Sequence, residues 1–127
     1  MVNLNLLLLV SLSRATSNNS SYYNILAIDG GGIRGLISAK VLENVETMAW
    51  DYAVSKNYTF PQYPGRNGTF AMKDLFNMTA GTSTGSIIAA GLAYPDVNNT
   101  ALKQPGFFAT DLLKIYSERG DEIFVKK

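Results

Sequence analysis

The chain has 127 residues, 46% hydrophobic and 17% charged, with a formal charge of +1. That is one ordinary domain or part of one, and it excludes a disordered tail and a coiled coil. Neither a net field nor a Lys/Arg cluster is present to attract nucleic acid. Cysteine and histidine are both absent, so disulfides, thiolate nucleophiles, Cys-bound zinc and every Ser-His-Asp or Cys-His site within the chain are excluded. Any nucleophilic chemistry must use another base.

The run from Leu4 to Leu12 is strongly apolar, broken by Asn5 and Ser11. It is too short to span a bilayer, which takes about 20 apolar residues. It matches a signal-peptide core, and Ser13-Arg14-Ala15 and Ala15-Thr16-Ser17 offer small-x-small cleavage patterns. The expectation is a signal peptide over residues 1–17 and a secreted or endomembrane-lumenal protein. One departure is that no Lys or Arg precedes the apolar run. The alternative is a cytoplasmic or membrane-peripheral N-terminus. Asn-x-Ser/Thr sequons begin at Asn18, Asn19, Asn57, Asn67, Asn77 and Asn98. Composition alone would give about 1.6 of them, which favours the secretory reading. Asn57, Asn67 and Asn98 lie in turn-rich stretches and are the glycosylation candidates. Asn77 is expected in a buried strand.

The first element is a buried parallel strand, Asn24 to Ile28, bounded by Gly30-Gly31-Gly32. Next, Ile37, Val41, Val45, Met48 and Tyr52 recur at helical spacing and predict the inward stripe of a helix. Lys40, Asn44, Thr47 and Asp51 lie off that stripe, towards solvent. Residues 55–69 carry Pro61, Pro64, Gly65 and Gly68 and read as a loop. Its Tyr58, Phe60 and Tyr63 are expected to anchor it; closure as a lid is the alternative. Lys73 to Phe76 is one helical turn, and Asn77 to Ala80 a second strand. Ser86 to Ala93 is apolar or small on every side, the composition of a helix buried all round, closed by Pro95. A last helix is expected with Thr110 as N-cap, Leu112, Leu113 and Tyr116 inward, and Gly120 at its end.

Two turns carry the chemistry. Gly81-x-Ser83-x-Gly85 matches G-x-S-x-G between a strand and a helix. There a nucleophilic serine sits on a sharp, strained turn, and glycine permits the close approach on either side. The helix that follows favours developing negative charge at its N-terminus. The other turn is Asp29-Gly30-Gly31-Gly32-Ile33-Arg34-Gly35. Consecutive glycines expose N–H groups that converge on an anion, as in an oxyanion hole. The spacing Gly30-x-Gly32-x-x-Gly35 also fits a dinucleotide fingerprint, which wants an acidic residue about 20 positions on at the end of a second strand. Asp51 has the distance but falls in the helical stripe.

Taken together, Ile25-Leu-Ala-Ile-Asp-Gly-Gly-Gly-Ile-Arg-Gly35 and Ala80-Gly-Thr-Ser-Thr-Gly85 resemble the N-terminal signature and nucleophile elbow of patatin-like phospholipases. The resemblance runs from about Tyr23 to the end, a partial domain over residues 23–127. It implies a three-layer α/β/α fold with a central, mainly parallel sheet, of which this chain is the N-terminal portion. It also implies a lipid acyl hydrolase with a Ser–Asp dyad, in agreement with the absence of histidine. Ser83 corresponds to the nucleophile, and Gly30, Gly31 and Gly32 to the oxyanion-hole loop. Arg34 corresponds to that loop's arginine, which orders the loop or meets an anionic head group; an ordinary surface arginine is the plainer reading. Asp29 belongs to the glycine motif and is not the dyad acid.

Two departures stand out. Ser86 occupies a position that is glycine in many members. The family's dyad Asp lies in a later Asp-Gly-Gly or Asp-Gly-Ala segment, whereas the only Asp-Gly here is Asp29-Gly30. A serine hydroxyl without a base is a weak nucleophile, so this length of chain is expected to turn over poorly alone. Two strands also leave sheet edges unpaired, which predicts marginal stability or aggregation. The implied substrate is a phospholipid or acylglycerol, met at a transient lipid surface, with no nucleic-acid partner, no cofactor and no metal. The alternatives are a catalytically inactive or storage protein of the same fold, or a dinucleotide-binding module.

Overall fold

The structure is a computed structural model and describes residues 15–16, 22–98 and 104–124. Apart from Ala15 and Thr16, the expected signal segment lies outside the described residues, as do Asn18 and Asn19.

A short antiparallel pair opens the chain, β1 (Ala15–Thr16) with β2 (Tyr22–Tyr23). Strand β3 (Ile25–Ile28) follows, with Leu26 and Ile28 buried in alternation. A 3-10 turn at Gly32–Arg34 leads into helix α1 (Gly35–Ser55). After a long loop come α2 (Met72–Leu75), β4 (Met78–Gly81), α3 (Thr84–Ala93) and α4 (Ala109–Ile123). Strands β3 and β4 are parallel, from Ile25 opposite Met78 to Ile28 opposite Gly81. Asparagines lock the register at its start. The Asn24 N–H donates to Asn77 Oδ1, and the Asn77 N–H donates to the Asn24 carbonyl, both at 2.8 Å. Parallel strands need a crossover, and α1 lies within it. The result is an α/β architecture, part of a larger domain. Leu26, Ile28, Leu42, Ile88, Leu92 and Leu112 meet in its core.

The inward face of α1 differs from the predicted stripe. Ile37, Met48 and Tyr52 are 43%, 69% and 57% exposed, and Val41 and Val45 sit at the border. The buried face is Gly35, Ser38, Ala39, Leu42, Glu46 and Ala53. Its partner is α4, and small residues let the two helices come close. Lys40, Asn44, Thr47 and Asp51 do face solvent.

Helix α3 is not buried all round. Thr84, Gly85, Ile88, Ala89 and Leu92 are buried, but Ser86, Ile87, Ala90 and Ala93 are exposed. One side packs on β4 and β3, and no described residue covers the other.

Helix α4 also departs from expectation at both ends. Its N-cap is Phe108, with Thr110 already inside. The capping oxygens come from acidic side chains: the Phe108 N–H donates to Asp111 Oδ2 at 2.9 Å, and the Ala109 N–H to Glu46 Oε2 at 3.0 Å. Gly120 does not end the helix, which runs on to Ile123. Ile33 packs beside it, with Cδ1 2.9 Å from where a Cβ would stand.

Two of the three loop aromatics, Phe60 and Tyr63, are anchors. The Tyr63 ring is buried against Phe108, and Phe60 lies edge-on to Trp50 and tilted against Phe70. Tyr58 lies exposed beside Tyr52. Arg66 forms a bidentate pair with Asp111 and stacks over Phe108, tying the loop to α4.

Candidate active site

Because β3 and β4 run parallel and in register, the turns that follow them leave from the same edge. That carboxyl edge is where α/β sheets hold ligands. One turn is the glycine loop from Asp29 to Gly35, and the other is the elbow from Gly81 to Gly85. The Thr82 N–H extends the pairing one step further, donating to the Ile28 carbonyl at 3.2 Å.

Ser83 has φ 51° and ψ −127°. A left-handed φ at a residue with a side chain costs about 1–3 kcal/mol and persists only where its surroundings impose it. Here the surroundings are specific. The Gly85 N–H closes on the Thr82 carbonyl and the Ser86 N–H on the Ser83 carbonyl, each at 2.9 Å. Ser86 Oγ adds a second bond to the Ser83 carbonyl at 2.5 Å, which gives the serine at that position a structural use. A Cβ on Gly81 would run into the Gly85 carbonyl, and one on Gly85 into the Ile28 carbonyl. The two outer glycines are therefore required by the crossing of strand and helix. Ser83 itself is exposed at the tip.

The glycine loop presses on this elbow. A Cβ on Gly30 would lie 2.5 Å from both Ser83 Cβ and the Thr82 carbonyl oxygen. The Gly30 N–H donates to Thr82 Oγ1 at 3.2 Å, and the Gly31 N–H to Thr84 Oγ1 at 3.1 Å. The Gly31 carbonyl accepts from Arg34 twice, from Nε at 3.3 Å and from the backbone N–H at 3.2 Å. Arg34 thus orders the loop. Gly32 has φ +58° and open space where a Cβ would be. Gly35 lies under the Tyr116 ring, 2.8 Å from Cε1 at the Cβ position. Tyr116 Oη donates to the Thr84 carbonyl at 3.1 Å. Burial pushes the Tyr116 pKa above its ordinary value, so the hydroxyl keeps its proton for that bond.

The structure therefore brings Ser83, Gly30, Gly31, Gly32, Gly81 and Gly85 to one place. Asp29 is exposed and makes no bond to Ser83. Among the described residues no carboxylate hydrogen-bonds Ser83 Oγ, and no group of three or more acidic residues is placed to hold a metal ion. Asp51 lies within α1, so the dinucleotide fingerprint lacks its acidic residue at a strand end. Asn57, Asn67 and Asn98 are exposed. Asn77 is also exposed, not in a buried strand, but its side-chain oxygen is taken by Asn24. Two surface hollows lie away from the elbow. One is on α1 around Lys40, Asn44 and Met48, the other beside Tyr94, Pro95 and Gln104. No helix among the described residues is long and apolar enough to cross a membrane.

Sequence reasoning missed the roles of Thr82, Thr84 and the Tyr116 hydroxyl. The threonines fill the variable positions of G-x-S-x-G, where the pattern carries no demand.

The comparisons with known proteins agree with this geometry. The model of the patatin-like phospholipase family matches residues 26–118. Patatin-17 of Solanum cardiophyllum is 31% identical over 118 residues, 93% of this chain and 26% of the relative. Patatin-like protein 2 of Oryza sativa subsp. indica is 36% identical over 103 residues, 81% of this chain and 21% of the relative. Patatin-2-Kuras 4 of Solanum tuberosum is 30% identical over 118 residues, 93% of this chain and 27% of the relative. The chain spans about a quarter of the length of these relatives. No solved structure matches it. With its glycine loop and elbow in place and the family model matching residues 26–118, the chain belongs to the patatin-like phospholipase family.

Proposed function

We propose that this chain supplies the nucleophile and oxyanion-binding half of a lipid acyl hydrolase. The observation that carries the proposal is Ser83 at φ 51°, held at the tip between β4 and α3 with the glycine loop packed against it. Ser83 Oγ attacks the ester carbonyl carbon of a phospholipid or acylglycerol. Its proton passes to a carboxylate base. The carbonyl oxygen becomes an oxyanion, received by an N–H of the glycine loop and by the N–H of Thr84, the residue after the nucleophile. Collapse expels the alcohol, which takes the proton, and leaves an acyl-enzyme. Water then attacks the acyl carbon, restores Ser83 and releases the fatty acid. The role of base falls to the dyad Asp of a second Asp-Gly-Gly or Asp-Gly-Ala segment, which residues 1–127 do not contain.

The test is fatty-acid release from phosphatidylcholine vesicles by a protein carrying these residues together with such a segment. Ser83→Ala is expected to lower the rate by at least about 10³-fold, because the nucleophile and its base act as a unit. An unchanged rate would overturn the mechanism. Negligible hydrolysis by the unsubstituted protein at high abundance would favour the storage reading.

The same proposal places the protein in the secretory pathway. Asn57, Asn67 and Asn98 are exposed in or beside turns and within reach of an oligosaccharide. Expressed with its own N-terminus in a eukaryotic secretory host, the protein is expected to lose apparent mass on endoglycosidase treatment. Substituting Gln at all three positions is expected to remove most of that change; no change in the unsubstituted protein would contradict the assignment.

A further inference from the structure

The two threonines that flank Ser83 each accept a hydrogen bond from the opposite turn. Thr82 Oγ1 takes the Gly30 N–H at 3.2 Å, and Thr84 Oγ1 takes the Gly31 N–H at 3.1 Å. Thr84 is buried and is held in turn by Tyr116, whose hydroxyl donates to its carbonyl and whose ring covers Gly35 at the start of α1. One chain of contacts thus runs from α4 through the elbow to the glycine loop. We infer that Thr82 and Thr84 are positioning residues, a clamp that holds the glycine loop on the nucleophile elbow and leaves the Gly32 N–H as the loop's oxyanion donor.

Each backbone amide has one hydrogen. The amides of Gly30 and Gly31 spend theirs on the threonines. Gly32 is bonded to neither threonine, sits in the left-handed region and has open space beside it. The Gly31 carbonyl is fixed from the other side by Arg34 Nε, so the peptide between Gly31 and Gly32 cannot turn freely. A donor earns its catalytic effect by being aimed before charge develops, and small misplacements are costly. Thr→Val keeps the shape and removes the acceptor. Thr→Ser keeps the acceptor and loses only a methyl. The inference rests on the acyl-hydrolase reading for its catalytic meaning, but the clamp has a readout of its own.

The experiment uses a protein carrying residues 1–127 together with a second Asp-Gly-Gly or Asp-Gly-Ala segment, and its Thr82→Val, Thr84→Val, Thr84→Ser and Ser83→Ala variants. Amide hydrogen exchange by NMR reads the clamp. Thr84→Val is expected to speed exchange at Gly31 about 10-fold, and Thr82→Val to do the same at Gly30. Amides in the core of α1 should stay unchanged, and Thr84→Ser should restore the slow rate. Phosphonylation by a fluorophosphonate ester reads the catalytic role. Ser83 Oγ attacks phosphorus, fluoride leaves, and the proton goes to solvent. The maximal labelling rate is expected to fall at least 10-fold in Thr84→Val, with half-saturation within 2-fold and with recovery in Thr84→Ser. Unchanged exchange at Gly30 and Gly31 in the valine variants overturns the clamp, whatever the labelling shows. Faster exchange with unaltered labelling overturns the positioning role. If the unsubstituted chain exchanges as expected but is not labelled at Ser83, the acyl-hydrolase reading fails and the positioning role falls with it. If only the maximal rate falls, and serine restores it, the inference stands.

Discussion

Glu46→Gln is expected to remove most of the chain's loss of stability between pH 5 and pH 8. Glu46 is fully buried in the middle of α1. Burial pushes its carboxyl up to about 8. The N–H groups of Ala109 and Met72 pull the other way, as does Arg66, while Asp111 adds to the rise. Only Oε2 closes a hydrogen bond, to the Ala109 N–H at 3.0 Å, and Oε1 has no partner among the described residues. A protonated carboxyl therefore suits the folded chain. In the unfolded chain the group titrates near its ordinary value of 4.5. Below that value both states hold the proton, and the stability contribution is fully present. Between 4.5 and 8 the unfolded chain releases the proton and the folded chain retains it, so stability falls as pH rises, levelling off above 8. A shift of this size corresponds to roughly 5 kcal/mol across the window. Glutamine keeps an acceptor for the Ala109 N–H and does not titrate. Urea unfolding of both proteins from pH 4 to pH 9 checks this. The unsubstituted chain should lose stability relative to Glu46→Gln over that range. Parallel curves would show that Glu46 ionises in the folded chain as it does in water.

Gly85→Ala is expected to cost about 3 kcal/mol or more, because the added methyl has nowhere to go. It would overlap the Ile28 carbonyl oxygen and lie 2.8 Å from the Asp29 carbonyl oxygen. These are backbone atoms of β3 and the glycine loop, so strand and helix must separate. Gly91→Ala on the same helix is the control. There the methyl would meet side-chain atoms only, Leu112 Cδ2 at 2.6 Å, and helix propensity favours alanine by about 1 kcal/mol. Chemical denaturation should place the Gly85 variant well below the Gly91 variant. Equal midpoints would show that α3 does not pack on the carboxyl end of β3 as described.

What was legible in the sequence was what the chain needs locally. The strand at Ile25 to Ile28, the glycine turn, the strand before Gly81 and the left-handed Ser83 elbow all follow from short patterns that have one good backbone solution. The helix faces were not legible. In α1 three members of the expected apolar stripe, Ile37, Met48 and Tyr52, point outward. The packed face is made of Ser38, Ala39 and Ala53 beside α4, with Glu46 sealed in it. A pattern based on hydrophobicity favours large side chains, whereas close helix contact favours small ones. The same holds for α3, whose even apolarity predicted burial on all sides yet which leaves Ile87 open. Gly120 looked like a helix end, but α4 runs on past it to Ile123. Thr82 and Thr84 were silent because their role depends on a loop 52 and 53 residues away.

The central claim is that Ser83 is an acyl-accepting nucleophile, and the most direct measurement is the mass of the protein during turnover. A protein carrying these residues together with a second Asp-Gly-Gly or Asp-Gly-Ala segment is mixed with a p-nitrophenyl ester, quenched in acid within seconds, and examined by intact mass and peptide mapping. One added acyl group is expected on the peptide that carries Ser83, absent in Ser83→Ala. No adduct on that peptide, or one that persists in Ser83→Ala, would contradict it.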